Sequence, residues 1–264
     1  MSFRPRIVFD RVSVRFPADK GEIRVVEDVS YAIGDREFVS IIGPSGCGKT
    51  TTMNIVAGFT KQSSGTVTLD GKPIVGPGPD RGVIFQEYGI FPWLSVRENI
   101  AFGLKLAANR TDAGEREEIC QKYMSLMGLA DFANAWPRML SGGMRQRLAL
   151  ARAYAVKPEF LLMDEPFGAL DAQTRMAMQN LLLEVLSSEG KTVMLITHSV
   201  EEAIYLSNRI VIMTARPTRV REIIEVPFSY PRTENLHERR EFGELRAYVR
   251  QLVMQEYEQQ ARQR

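Results

Sequence analysis

Gly43-Pro-Ser-Gly-Cys-Gly-Lys-Thr-Thr51 decides how this chain folds. It fits the spacing G-x-x-x-x-G-K-[ST], with Gly43, Gly48, Lys49 and Thr50 in the fixed places. Just upstream, Glu37-Phe-Val-Ser-Ile-Ile42 is short, apolar and rich in β-branched residues, so it reads as a strand. Just downstream, Thr52-Met-Asn-Ile-Val-Ala57 reads as a helix ending at Gly58. Strand, glycine loop and helix form the context that a phosphate-binding loop requires. Glycines let the loop fold back so that successive backbone N–H groups point at phosphate oxygens. The positive end of the following helix adds to that field. The nucleotide-binding set is Gly43, Pro44, Ser45, Gly46, Cys47, Gly48, Lys49, Thr50 and Thr51. Within it Lys49 reaches the terminal phosphates and the Thr50 hydroxyl ligates Mg²⁺. A glycine turn before an ordinary helix is the bland alternative, and the complete motif in its required context outweighs it.

The 264 residues suffice for one large domain or two small ones. A hydrophobic content of 44% and a charged content of 25% are ordinary for a globular chain and argue against disorder. The net charge of +2 is too small for a protein that coats nucleic acid or an anionic membrane. Of the two cysteines, Cys47 lies in the phosphate loop, so a disulfide framework is not indicated and a reducing compartment fits. No apolar run follows the basic residues at the N-terminus, and none approaches the length needed to span a bilayer. Any action at a membrane is therefore expected to go through a partner.

Working outward, Ile7–Phe16 and Glu22–Tyr31 alternate and are β-branched, with a polar turn at Pro17–Gly21, so they read as an antiparallel pair. Phe16 stands beside that turn, where an aromatic ring either stacks on an adenine or is an ordinary strand residue. Gly65–Gly71 reads as a strand closed by an Asp-Gly turn. Gly76–Gly82 is a turn-rich loop feeding the strand Val83–Phe85. Gln86, at that strand's carboxyl end, is placed to reach a metal or water near the phosphates, although a glutamine there is usually a loop residue. At about Tyr88 the character changes. Ser95-Val-Arg-Glu98 has capping-box spacing, and the pattern is helical to about Tyr154, with Ile119, Tyr123, Leu126 and Met127 as one apolar face.

Leu140-Ser-Gly-Gly-Met-Arg-Gln-Arg147 opens the next helix. Ser141 caps it, Gly142 and Gly143 admit an anion to the exposed N–H groups, and Arg145 and Arg147 add positive field. A capped helix start is the generic alternative. Phe160–Glu165 is an apolar strand ending in two acids, and burying such a pair is costly unless a cation or a proton transfer employs it. Asp164 suits the second shell of Mg²⁺, and Glu165 suits a general base that orients water. Lys191–Thr197 is a further strand ending at His198; a lone histidine there is normally a structural residue, and its place after a phosphate loop and an acid pair moves the reading towards a γ-phosphate contact. His237 sits in a charged segment and receives no role. Beyond Pro231 a helix is expected, with Phe242, Leu245, Tyr248, Val249 and Leu252 as its stripe.

The phosphate loop, Gln86, Leu140–Arg147, Phe160–Pro166, Ala169–Asp171 and His198 resemble the ordered motif set of ATP-binding-cassette (ABC) ATPases over essentially the whole chain. The resemblance implies an α/β fold: a RecA-like phosphate-loop NTPase core with an N-terminal antiparallel β subdomain and an inserted α-helical subdomain. The expected division of 1–264 is a catalytic core of 1–88 and 155–230, a helical signature subdomain of 89–154 and a C-terminal helical tail of 231–264. By the same resemblance Phe16 stacks on adenine and Gln86 is the Q-loop glutamine. Asp171 is the D-loop aspartate, Glu165 the catalytic carboxylate and His198 the switch histidine. The implied metal set is Thr50, Gln86 and Asp164, and the implied cofactors are ATP and Mg²⁺. Two copies, or this chain and a paired ATPase subunit, resemble halves of a head-to-tail dimer. Each ATP then lies between one phosphate loop and the other copy's Ser141–Gly143.

Gly76–Gln86, Phe91–Leu94, Asp164–Arg175 and Ala215–Arg219 are similar to the nitrate/sulfonate/taurine importer branch. That likeness implies a peripheral ATPase on the cytoplasmic face of the inner membrane, serving transmembrane permease subunits for a small anionic solute. A periplasmic or extracellular solute-binding protein takes part indirectly, and nucleic acid does not. Ile90–Leu94 is the expected groove for a permease's coupling helix, with interior packing as its alternative. No long C-terminal regulatory domain of the sugar-importer kind is expected. Two positions depart from the usual pattern: Phe16 replaces a tyrosine, and Ser199 follows His198 where aspartate is common. The competing functions are a soluble ABC protein acting on nucleic acid or the ribosome, and an exporter ATPase subunit. The first usually carries two cassettes, coiled-coil insertions or zinc ligands, which this sequence lacks.

Overall fold

The computed structural model describes residues 4–19, 21–168 and 170–262, with the backbone alone at 187–189. The chain divides into two compact units, Met1–Gly78 with Glu189–Arg264, and Pro79–Ser188.

The first unit begins with β1 (Pro5–Ala18) and β2 (Gly21–Gly34), paired antiparallel. The hairpin is tighter than the polar turn at Pro17–Gly21 suggests, because pairing continues through Pro17↔Glu22 and Ala18↔Gly21. Ile7, Phe9, Val12 and Val14 of β1 are buried; each pair follows the alternation of a one-sided sheet, and the phase changes at the register shift between Phe9 and Val12. Next in sequence come β3 (Phe38–Ile42), α1 (Lys49–Ala57), β4 (Ser64–Leu69) and β5 (Lys72–Pro73), of which only β4 and β5 join this sheet, in the order β2-β1-β4-β5. Asp70 (φ 49°) and Gly71 (φ 76°) make the β4–β5 turn, the left-handed pair that Asp-Gly favours.

β3 is buried at every position. It lies between two parallel neighbours described below, and a parallel strand covered on both faces reads as a continuous apolar run rather than an alternation. Helix α1 starts at Lys49, earlier than Thr52, so the loop's lysine and both following threonines form its first turn. It stops at Gly58, whose φ of 79° is the left-handed cap that glycine supplies.

The second unit holds β6 (Arg81–Ile84), α2 (Val96–Lys105), α3 (Ala113–Leu126), α4 (Gly142–Ala155), β7 (Phe160–Asp164) and α5 (Ala172–Glu189), the last reaching the unit boundary. β6 and β7 pair in parallel, and α2, α3 and α4 pack on one another. This unit therefore contains the 89–154 segment together with a strand pair and α5. Ser95 and Glu98 form the capping box of α2. On α3 the apolar face differs from the expected one. Ile119, Cys120, Tyr123, Met124 and Met127 are buried, and Leu126 is exposed. At about 100° per residue, Met124 forms one edge of the arc these five define, and Leu126 falls just beyond the opposite edge, past Ile119.

The first unit resumes with β8 (Thr192–Ile196) and β9 (Arg209–Met213), the parallel neighbours of β3, joined by α6 (Val200–Leu206). β10 (Val220–Glu225) pairs antiparallel with β9, and α7 (Arg240–Arg262) packs on α6. Phe242, Val249, Leu252 and Val253 bury the face of α7. Tyr248, expected in that stripe, is exposed instead, and its hydroxyl bonds Glu222 at 2.8 Å. The expected α/β architecture with an antiparallel sheet is present.

Candidate functional site

The phosphate loop joins β3 to α1 within the first unit. Side chains cap five other helices: Ser95 on α2, Asp112 on α3, Ser141 on α4, Asp171 on α5 and Ser199 on α6. Gly48 gives α1 no side-chain cap bond among the described residues. A helix start leaves its first N–H groups without intrahelical partners, so this one is suited to an anion. Lys49 is buried, and its Nζ donates to the Gly43 and Pro44 carbonyls at 2.8 and 2.9 Å. An ammonium with three donors sits inside the curl of the loop, where a phosphate would find it. The glycines also answer packing. A Cβ on Gly43 would stand 2.7 Å from the Met213 carbonyl oxygen, so no other residue fits there. Gly48, at φ 129°, closes against Val25.

Phe16 is 41% exposed and pairs with Ile23 on β2. Ile23 is two residues along β2 from Val25, the residue that touches Gly48. The structure thus brings the Phe16 end of the hairpin to the loop. His198, also in this unit, is exposed in the turn between β8 and α6. Thr197 fixes that turn, donating from Oγ1 to Glu202 at 2.6 Å and accepting from the Ser199 N–H at 3.0 Å. Ser199 Oγ accepts from the Glu202 N–H at 3.2 Å. Serine and aspartate are equivalent N-caps, which accounts for the departure at Ser199.

In the second unit, Gln86 follows β6 and Glu165 follows β7. Gln86 Nε2 donates to Glu165 Oε2 at 3.5 Å, so the structure brings this glutamine and the acid together. Glu165 takes φ 45°, a left-handed conformation disfavoured for any residue with a Cβ and concentrated at functional sites. Asp164 and Glu165 are half-buried rather than enclosed. The cost of burying a carboxylate pair is therefore not what marks this strand end; the backbone at Glu165 is.

Ser141 Oγ accepts from the Met144 N–H at 3.3 Å, capping α4 as its sequence suggests. Gly142 and Gly143 occupy the first helical positions. A Cβ on Gly143 would lie 2.6 Å from Thr174 Cγ2, so close packing against α5 requires this glycine, a reason the sequence does not display. Arg145 and Arg147 turn to the Leu140 and Met127 carbonyls at 3.0 and 3.4 Å. Gln146 is fully buried, and neither of its amide atoms has a partner among the described residues.

Asp171 caps α5, accepting from the Thr174 N–H at 3.0 Å. The Thr174 hydroxyl first, and then its N–H, hold the Asp171 carboxyl below the usual carboxylate range. Ala169, quoted with Asp171 in the same motif, lies outside the described residues.

Sequence reasoning missed Asn99. Its buried amide accepts from the Phe91 N–H at 2.8 Å and donates to the Phe91, Leu94 and Ser95 carbonyls at 2.9 to 3.0 Å. The tract Ile90–Leu94 is thereby fixed, with Trp93 66% exposed and Phe91 packed between Trp93, Phe102 and the Arg152 guanidinium.

The family described as ABC transporter matches residues 26–168. A protein of Brucella abortus named for ATP binding is 52% identical over 246 residues, covering 93% of this chain and 92% of the relative. The nitrate import ATP-binding protein NrtD of Synechococcus elongatus is 44% identical, covering 85% and 82%. A dimeric, post-hydrolysis structure of the ATP-binding cassette MJ0796 with ADP and Pi superposes with a TM-score of 0.74 at 30% identity, over 84% of this chain and all of that one.

Proposed function

The chain belongs to the ABC transporter family as an ATP-binding subunit, and from that premise we propose that it is the ATPase of an importer for a small anionic solute. Its energy would pass to a separate permease, with a solute-binding protein on the far side of the membrane. The family and the fold, a RecA-like cassette with an antiparallel sheet, imply ATP hydrolysis. The import reading draws on the nitrate importer relative and on the Gly76–Gln86, Phe91–Leu94 and Ala215–Arg219 stretches. Among the described residues no helix is long and apolar enough to cross a membrane. Peripheral attachment to the cytoplasmic face through the permease is the arrangement we infer, with the fixed, exposed aromatics around Trp93 as the docking face.

The observation that carries the ATP reading is the uncapped start of α1 beside a buried Lys49. In this scheme the loop N–H groups and Lys49 hold the triphosphate, and Phe16 stacks on the adenine. Glu165, held in its strained conformation beside Gln86, accepts the proton of the attacking water and orients it. His198 contacts the γ-phosphate. Thr50, Gln86 and Asp164 offer hydroxyl, amide and carboxylate oxygens, the hard donors that Mg²⁺ prefers. When bound, Mg²⁺ supplies charge neutralisation on the phosphate oxygens. Ser141, Gly142 and Gly143 of a second copy, with its Asp171, grip the same nucleotide from the opposite side. The dimeric state of the related MJ0796 cassette supports that arrangement. ATP can then close the pair only because it binds the closed state better than the open one.

Glu165→Gln is expected to keep ATP affinity while turnover falls by about 10²–10⁴-fold, the scale of a lost general base. Lys49→Ala is expected to weaken nucleotide binding itself. Calorimetry with Mg-ATP and steady-state phosphate release read both. Unchanged hydrolysis in Glu165→Gln would remove that residue from the role, and unchanged affinity in Lys49→Ala would remove the loop.

A further inference from the structure

We propose that α7 and the Thr214–Thr218 segment brace the phosphate loop from outside, with Arg216 and Gln260 as positioning residues that set nucleotide affinity. The proposal rests on the ATP-binding reading above and adds to it a link between nucleotide occupancy and docking of the C-terminal helix. Two adjacent loop carbonyls carry it. Arg216 Nη2 donates to the Gly46 oxygen at 2.6 Å, and Gln260 Nε2 donates to the Ser45 oxygen at 3.0 Å. A trans peptide is planar, so its N–H points opposite its C=O. Holding the Ser45 oxygen outward aims the Gly46 N–H into the loop. Holding the Gly46 oxygen outward does the same for the Cys47 N–H, which in this structure points inward to the Pro44 oxygen at 3.3 Å. These N–H groups are ones a phosphate would use.

Both braces are themselves anchored. The Ala215 N–H donates to Glu256 of α7 at 3.0 Å, and Glu256, 2% exposed, pairs with Arg221 at 2.6 Å. Thr218 donates from its N–H to the Val25 oxygen at 2.8 Å and from its hydroxyl to the Thr214 oxygen at 2.9 Å. The helix is held to the body of the unit by Phe242, Val249, Leu252 and Val253. Loop, segment and helix therefore form one connected hydrogen-bonded set ending on the phosphate-facing peptides. Linkage makes the effect reciprocal: whatever factor the braces add to nucleotide affinity, bound nucleotide returns to helix docking.

The test uses the full chain with Mg-ADP and Mg-ATP. Arg216 is exposed and Gln260 half-buried, so alanine at either leaves the core intact. In the double variant Arg216→Ala/Gln260→Ala, the Kd for Mg-ADP and the KM for ATP are expected to rise roughly tenfold, the scale of two net hydrogen bonds. A positioning role predicts kcat within about twofold of wild type. Arg216→Lys should recover a large part of the affinity that Arg216→Ala loses. In the wild-type protein, saturating Mg-ADP should slow amide hydrogen exchange in the last turns of α7, a readout that does not depend on any variant folding. Unchanged affinity in the double variant, a fall in kcat at constant KM, or α7 exchange indifferent to nucleotide each overturns the brace. Failure of the wild-type chain to bind nucleotide overturns the ATP reading, and the brace with it.

Discussion

Gln146 shows what a single residue adds to the sequence reading. As one letter of the Leu140–Arg147 string it helps identify the family, yet its amide is buried without a hydrogen-bond partner among the described residues. An unsatisfied buried amide destabilises by about 1–3 kcal/mol. Gln146→Met, of similar length and without the polar atoms, is therefore expected to raise folding stability, measured by denaturant titration. A loss of stability would mean that the amide is satisfied in solution. Other residues were legible in kind but not in cause. The glycine at 43 is demanded by the Met213 carbonyl and the glycine at 143 by Thr174, contacts between segments far apart in sequence. Glu165 was legible as an acid at a strand end, whereas its left-handed backbone was not. No spacing rule reveals a φ angle.

At the scale of elements, local signals held wherever a local cause sufficed. The capping box at Ser95, the Asp-Gly turn at Asp70, the glycine stop at Gly58 and the cap at Ser141 depend on near neighbours, and each occurs where the sequence places it. What escaped is long-range polar fixation. Arg232 is 8% exposed and donates to the Ile204, Tyr205 and Ser207 carbonyls at 2.8 to 2.9 Å, closing the end of α6, and to Phe228. In sequence it is one arginine in a charged stretch. Burial pushes its pKa down from the ordinary arginine range, and the carbonyls at a helix end favour the cation it carries. Arg232→Met is expected to cost about 2–4 kcal/mol, because it strands several buried carbonyls at once. Thermal unfolding measures this, and a shift too small to detect would mean that water replaces the guanidinium. His237, which received no role from sequence, stacks on Tyr205 at 4.8 Å between ring centroids, and burial lowers its pKa. It belongs to the same packing of the chain after β10 onto α6.

At the scale of the whole molecule, the motifs fall into two groups that sequence order interleaves. The phosphate loop, Phe16 and His198 belong to the first unit, and Gln86, Ser141, Glu165 and Asp171 to the second. The family and its fold were legible because each motif is short and its chemistry is local. The second copy was legible only through resemblance, since no residue of one chain announces what faces it. The central claim is that one triphosphate is gripped by two copies of the chain. It is tested most directly by the mass of the Glu165→Gln variant in solution, by light scattering with and without saturating Mg-ATP. The account predicts a monomer that becomes a dimer with ATP and returns to monomer when Ser141 is replaced by arginine. A Glu165→Gln protein that binds Mg-ATP and remains monomeric, alone and with the proposed permease subunits, would contradict it.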